Sequence, residues 1–435
     1  MDQDLGGDLD VDVLVIGAGI QGLYIAHELA RTYTVAVVSH SAVGASTLES
    51  SGYFSAGYDG NDANRIQPAR RAAGWWRLWA ETHDVAINPD PPWFVVEPDE
   101  VSSRTRLWAD AMLGAPQADT LPAPVVDGSL ADAAAFVAEA DVVINPATVL
   151  DRLRAGIGPW WLEGEVVRFG LAGDDAIDHV QVQVGDDLVP VVPRFVVVAA
   201  GVGNADLLTQ ISSRFGDHDR RKATKELVDR CQAVRSQPVI CLRGADLPAL
   251  DGRFGDLTVA SHRVGGTDER VWVVEPPIDD SHTTAGPDNV RFERPVDSAV
   301  VAATVARLLA MSPTVAGLAP RLRWSTYVGR CTQHPMLLDP DTAAVAQPVP
   351  AKLEKLGLEG FLAVWPSHLA FAQFVGDAVA ERVREALGPA QEFGPGLTPG
   401  AFGVAPVSVP ARWDGEAIGW LDWPAFSAAH GIAPA

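Results

Sequence analysis

Residues 10–39 read DVDVLVIGAGIQGLYIAHELARTYTVAVVS, and this stretch decides the fold. An apolar run over residues 13–16 reads as a buried parallel strand and breaks directly into Gly17-Ala18-Gly19-Ile20-Gln21-Gly22. Helical spacing follows at Leu23, Ala26, Leu29 and Ala30, then a second apolar run over residues 35–38. Strand, glycine turn, helix and strand in about thirty residues is the context in which G-x-G-x-x-G signals a dinucleotide site. Gly17 permits the tight turn, Gly19 lets backbone approach a pyrophosphate, and Gly22 lets helix pack close to strand. The first helical amides, from Ile20 and Gln21 onward, offer free N–H groups and partial positive charge to phosphate. The bland alternative is a glycine turn in an α/β protein without a nucleotide.

The second strand of such a unit usually ends in Asp or Glu, which accepts from a ribose hydroxyl. Here Ser39 stands at that position and His40 follows. A serine contact carries no charge. No arginine follows at once, which argues against a 2′-phosphate and so against NADP.

At 435 residues, with 47% hydrophobic and 20% charged residues, the chain has material for two domains and a sizeable core. A net charge of −23 disfavours nucleic acid and anionic membrane as partners. Three cysteines without metal-type spacing suit a reducing, cytoplasmic setting, and the acidic N-terminus is unlike a secretory leader. No apolar run approaches the ~18 residues of a membrane span. Ten histidines lack zinc-type spacing, so no metal site is expected.

Further segments carry weaker signals. Residues 43–52 (VGASTLESSG) are small or hydroxylic and read either as a solvated loop or as a lining for an extended cofactor. Residues 67–83 predict a helix whose Trp75, Trp76 and Trp79 belong to a core. Strands are expected over residues 162–167, 176–184 and 188–192. Residues 195–204 (FVVVAAGVGN) repeat the pattern of a buried strand ending in small residues, at Ala200 and Gly201, where ligands of an α/β sheet bind. Residues 237–243 and 271–275 look like strands of a separate antiparallel sheet, and residues 297–309 like a helix. Residues 361–368 (FLAVWPSH) enter a last helix with Leu369, Phe371, Phe374 and Val375 on its apolar face. Beyond Gly388 the chain is rich in Pro and Gly and reads as an extended tail that wraps the body.

Together these blocks resemble the FAD-dependent amine and amino-acid oxidoreductases, the D-amino-acid oxidase-like family that includes glycine oxidase and sarcosine oxidase. The resemblance is clear over residues 11–58 and 145–203, and loose over residues 237–387. It implies that the glycine turn holds the ADP half of FAD and that Ser46 and Thr47 lie on a segment running toward the flavin. Val167 would meet the adenine side, and Ala200 with Gly201 would form the second FAD motif. Pro366, Ser367, His368 and Leu369 would aim a helix start at the pyrimidine edge of the flavin, where the family usually has a Gly-His-Gly type turn. His368 would then stabilise charge on the reduced ring or orient substrate, against a bland role as a helix-start histidine bonded to backbone. Arg330 matches best the arginine that grips a substrate carboxylate in the family, with a structural ion pair as its alternative. Cys331 lies in the block that carries a covalent flavin link in some members, although its spacing differs.

The sequence thus predicts an α/β chain: a Rossmann-like FAD-binding domain made of residues 1–65, 145–235 and 321–388, and a discontinuous α+β substrate domain. Residues 66–144 and 236–320 would build that second domain around a mixed or antiparallel sheet, and residues 389–435 the tail. The activity the resemblance implies is oxidation of a C–N bond in a small amine or amino acid by hydride transfer to the flavin, with hydrolysis of the imine afterwards. Alcohol or hydroxy-acid oxidation is the alternative within enzymes, and an inactive FAD-fold binding protein the alternative outside them. The electron acceptor, oxygen or a carrier, stays open; only four lysines occur, which argues against an oxygen-activating lysine beside the flavin.

Overall fold

Strand β1 (Leu9–Ile16) is buried along residues 11–16, as a central parallel strand covered on both faces must be. The computed structural model describes residues 8–40, 45–58, 63–111, 118–119, 121–125, 128–157, 160–173, 175–228, 233–277, 283–285, 296–333, 357–365, 369–389, 410–415 and 418–432. Helix α1 (Ile20–Leu29) and β2 (Val35–Ser39) complete the first unit, with β1 and β2 parallel and Ile16 in register with Val38. Asp12, the one charge within residues 11–16, is fully buried; it accepts from the Thr34 amide at 3.0 Å and from Arg194 at 2.7 Å.

Among the described residues these strands belong to a seven-stranded sheet. Its order is Trp161–Glu163, β2, β1, Asp187–Val198, Ala176–Val184, Glu165–Ala172, with Phe361–Ala363 parallel to Asp187–Val198. One face buries Val13, Val15, Val35 and Val37 against Ile20 and Leu23 of α1; the other buries Leu14, Ile16, Ala36 and Val38 with Val166 and Val180. Two expected strands differ in detail. Residues 188–192 and 195–198 form one strand through Pro190 and Pro193, because partners on both sides hold it extended. The strand expected over residues 162–167 breaks at Gly164, where a Cβ would stand 2.2 Å from the Gln183 carbonyl oxygen.

The second sheet has nine described strands and is mixed, mostly antiparallel, with Trp93–Val96 parallel to Gly252–Phe254. Its centre is the long pairing of Ala233–Gly244 with Arg323–Gln333. Alternation sends Val239, Cys241, Val271, Val273 and Tyr327 toward the first unit, and Ile240, Leu242, Trp272, Val274 and Trp324 toward helices Ser298–Met311 and Pro313–Leu318. With a two-stranded pairing of Tyr53–Phe54 and Val142–Val143 beside them, these sheets make the α/β fold that the sequence predicts. The tryptophan helix spans Ala63–Thr82, and its Trp76, fully buried, packs against Tyr24 of α1.

The C-terminal segment does more than wrap. Trp413 and Phe426 are fully buried, and helix Trp423–His430 sets Trp423 4.8 Å from Trp324 on the outer face of the second sheet. Among the described residues no single helix is long and apolar enough to cross a membrane.

Candidate cofactor and substrate site

The turn between β1 and α1 is built as the glycine spacing requires. Gly17 has φ +113°, and a Cβ there would lie 2.4 Å from the Ala199 carbonyl oxygen. At Gly22 a Cβ would lie 1.9 Å from the Gly17 oxygen, so helix and turn touch backbone to backbone. Gly19 is different: among the described residues a Cβ would meet only Thr47 Oγ1, at 3.6 Å, which leaves the backbone open to an approaching group. The Ile20 amide donates to Thr47 Oγ1 at 3.1 Å, which leaves the threonine O–H free to donate to a phosphate. Thr47 and Ser46 sit on the short helix Ala45–Leu48. Gln21 offers only its backbone amide, because its side chain turns inward and donates to the Ala372 carbonyl at 3.1 Å.

At the far end of the cradle Ser39 is buried, while His40 is exposed and stands 3.9 Å from Glu165. Val167 is 41% exposed, an apolar side chain left open on the strand expected to meet adenine. Ala200 and Gly201 follow the strand Asp187–Val198, and Gly201 has φ +57° with no described residue within 4 Å of where a Cβ would be. Asn204 holds this turn: fully buried, it accepts from the Ala200 amide and donates to the Val364 carbonyl, both at 2.7 Å. Two strand ends are thereby locked together. The sequence hid this role, since an asparagine after a glycine turn reads as an ordinary helix cap. Leu369 opens the turn Leu369–Phe371 ahead of helix Ala372–Leu387; Pro366, Ser367 and His368 lie outside the described residues.

The segment after Thr47 runs between the two sheets. Glu49 is 2% exposed and accepts from Arg330 Nη2 at 2.9 Å, from the Arg330 amide at 3.1 Å and from Arg412 Nη1 at 2.8 Å. Arg330 therefore forms an ion pair, and one carboxylate faces two half-exposed guanidiniums. Tyr327 donates to the Glu49 carbonyl at 2.9 Å; burial, with Cys241, Glu275 and Glu49 nearby, holds its phenol well above the ordinary range. The Ser51 amide donates to Glu275 at 3.0 Å. Glu49 was legible only as the single charge in a run of small residues, and Arg412 not at all, its partner Glu49 lying 363 positions away. Among the described residues no group of His, Cys, Asp and Glu could hold a metal ion.

His262 completes the inner face. It is 3% exposed, stacks on Trp413 with centroids 4.3 Å apart, and lies 2.7 Å from the Ser51 carbonyl through Nε2. A carbonyl only accepts, so the proton is on Nε2. Burial pushes the imidazole down to about 4, beyond what the bond to Ser51 restores, with Arg270 adding to the shift. The unfolded chain then takes the proton first. Stability from this group is full above about pH 6.5 and is lost as pH falls through 4. Denaturant titrations at pH 7 and pH 4 are expected to show wild type losing about 3 kcal/mol more than His262→Gln over that interval. Equal losses in the two proteins would contradict a buried neutral imidazole.

Comparison with known proteins bears on what this cradle holds. The sequence matches the family described as DAO, FAD dependent oxidoreductase, over residues 12–354. No curated protein matches the chain by sequence. An FAD dependent oxidoreductase from Pseudomonas aeruginosa superposes with a TM-score of 0.64 at 20% identity, covering 92% of this chain and 96% of that one. Glycine oxidase from Geobacillus kaustophilus superposes with a TM-score of 0.60 at 16% identity, covering 87% and 95%. L-proline dehydrogenase from P. horikoshii gives 0.61 at 15% identity, covering 88% and 94%. The open backbone at Gly19, the Thr47 hydroxyl and the small turn at Ala200 and Gly201 fit the cofactor that this match names. The chain belongs to the DAO family of FAD-dependent oxidoreductases.

Proposed function

We propose that the enzyme oxidises the C–N bond of a small amino acid or amine, and that Arg330 and Arg412 together hold a substrate carboxylate. The observation that carries this reading is the pairing of Glu49 with both arginines. Two half-exposed guanidiniums converge on one buried carboxylate, and cations held this way at a surface attract an anion. Arginine presents a planar fork that matches a carboxylate. Glu275, on the inner face beside Ser51, gives the other end of a zwitterion a negative partner. His262 and Trp413, stacked and buried, keep water from the backbone that follows Glu49.

Gly17, Gly19, Ile20, Gly22, Thr47, Ala200 and Gly201 would hold the FAD, which supplies an acceptor for the hydride beside the substrate nitrogen. The neighbours named for glycine oxidase and L-proline dehydrogenase act on substrates of this class, which supports the reading. The test is a split between KM and kcat. Arg412→Gln is expected to raise KM about tenfold for an amino acid, the size of one charge-assisted contact, and to leave kcat within twofold. The corresponding amine, without a carboxylate, should show no such rise. An equal effect on both substrates would remove Arg412 from carboxylate recognition.

A further inference from the structure

We infer that Glu163 supplies the ribose-binding carboxylate that the end of β2 lacks. The residue closing the second strand of a dinucleotide unit ordinarily carries the acid that accepts from the adenosine ribose. In this chain it is Ser39, buried and uncharged. The parallel register pairs Ser39 with Glu163, the last residue of Trp161–Glu163, and Val37 with Trp161. Residues paired across neighbouring strands point to the same face. Val37 and Trp161 share a cluster with Ile20 and Leu23 of α1. Ser39 and Glu163 therefore continue the face that carries the N-terminus of α1. Both also end their strands at the carboxyl edge, where open α/β sheets bind ligands.

The local structure holds this pair in place and leaves Glu163 available. The Gly164 amide donates to the Ser39 carbonyl at 2.9 Å, fixing the two strand ends to each other. Glu163 is exposed, and among the described residues its carboxylate has no ion-pair partner, whereas Glu165 faces His40. The two strands lie about 4.8 Å apart, a distance that the longer glutamate side chain spans. Acids at both positions would put like charges directly opposite each other. Serine at 39 and glutamate at 163 are thus complementary: the carboxylate has moved one strand over.

The test uses the purified holoprotein and reads FAD release on dilution by the fluorescence of free flavin. Glu163→Gln is expected to raise the FAD dissociation constant about tenfold, the loss of a hydrogen bond to a charged acceptor. Glu165→Gln should leave it unchanged, and thermal melts of both apoproteins should match wild type. Reconstitution with FAD whose adenosine lacks the 2′-hydroxyl separates a ribose contact from a general charge effect. Wild type should hold that analogue about tenfold more weakly than FAD, and Glu163→Gln should hold the two equally. A Glu163→Gln protein that binds FAD as tightly as wild type, or still discriminates against the analogue, would overturn the assignment.

Discussion

The Gly22→Ala variant is expected to purify without flavin. A methyl at this position would stand 1.9 Å from the Gly17 oxygen, 3.0 Å from its carbonyl carbon and 3.4 Å from Ala199 Cβ. The first two are backbone atoms, so the helix must withdraw from the turn. Overpacking of this kind costs up to about 3 kcal/mol, divided between apoprotein stability and FAD binding, which weakens by at most on the order of 100-fold. Gly19→Ala provides the contrast. Among the described residues its nearest neighbour would be Thr47 Oγ1 at 3.6 Å, so the protein accommodates the methyl, which would then occupy the space that the proposed cofactor site gives to a pyrophosphate. Melting of the apoprotein should therefore fall for Gly22→Ala and hold for Gly19→Ala, while the ratio of flavin to protein absorbance falls for both. A Gly22→Ala protein with full flavin content would contradict the close packing of α1 on its turn.

The second large effect is expected at Glu49. Its carboxylate is almost wholly buried and bonded to Arg330 and Arg412. Removing the carboxylate takes its charge-assisted hydrogen bonds away but leaves two half-exposed guanidiniums that water still reaches, a cost of about 2–3 kcal/mol. Glu49→Ala should lose stability on that scale in denaturant titrations. The variant should also become open to proteolysis near residues 410–415, since Arg412 and the Trp413 N–H, 3.4 Å from the Ser50 carbonyl, anchor that segment on residues 49–50. Arg412→Ala should cost less, because that arginine is 41% exposed and the carboxylate of Glu49 keeps its bonds to Arg330. Similar losses for the two variants would show that the carboxylate is not the hub.

The parts of this molecule legible in the sequence are those where local physics dictates residue type. A glycine whose Cβ would strike backbone cannot be anything else, so Gly17 and Gly22 announced the cradle, and period-two apolar runs announced the strands around it. Pairing between distant segments left no such mark. Glu49, Arg330 and Arg412 meet from distant parts of the chain, and nothing in the local pattern of residues 410–415 distinguishes an anchored tail from a solvated one. His262 looked like one of ten scattered histidines because its partners, Ser51 and Trp413, lie 211 and 151 positions away. The break at Gly164 was hidden for the same reason: its cause is the carbonyl of Gln183 on a neighbouring strand. The Ser39 departure was plain in the sequence, but the Glu163 beside it became visible only through strand register.

The most direct measurement is the visible absorption spectrum of the purified holoprotein under anaerobic conditions, before and after addition of small amino acids and amines in turn. Oxidation of a C–N bond predicts that at least one of them bleaches the flavin. A carboxylate-bearing substrate should act at lower concentration than its decarboxylated counterpart. A flavin that keeps its colour with every amine and amino acid, yet is bleached by a hydroxy acid or an alcohol, would contradict the proposed activity while leaving the FAD-binding fold intact.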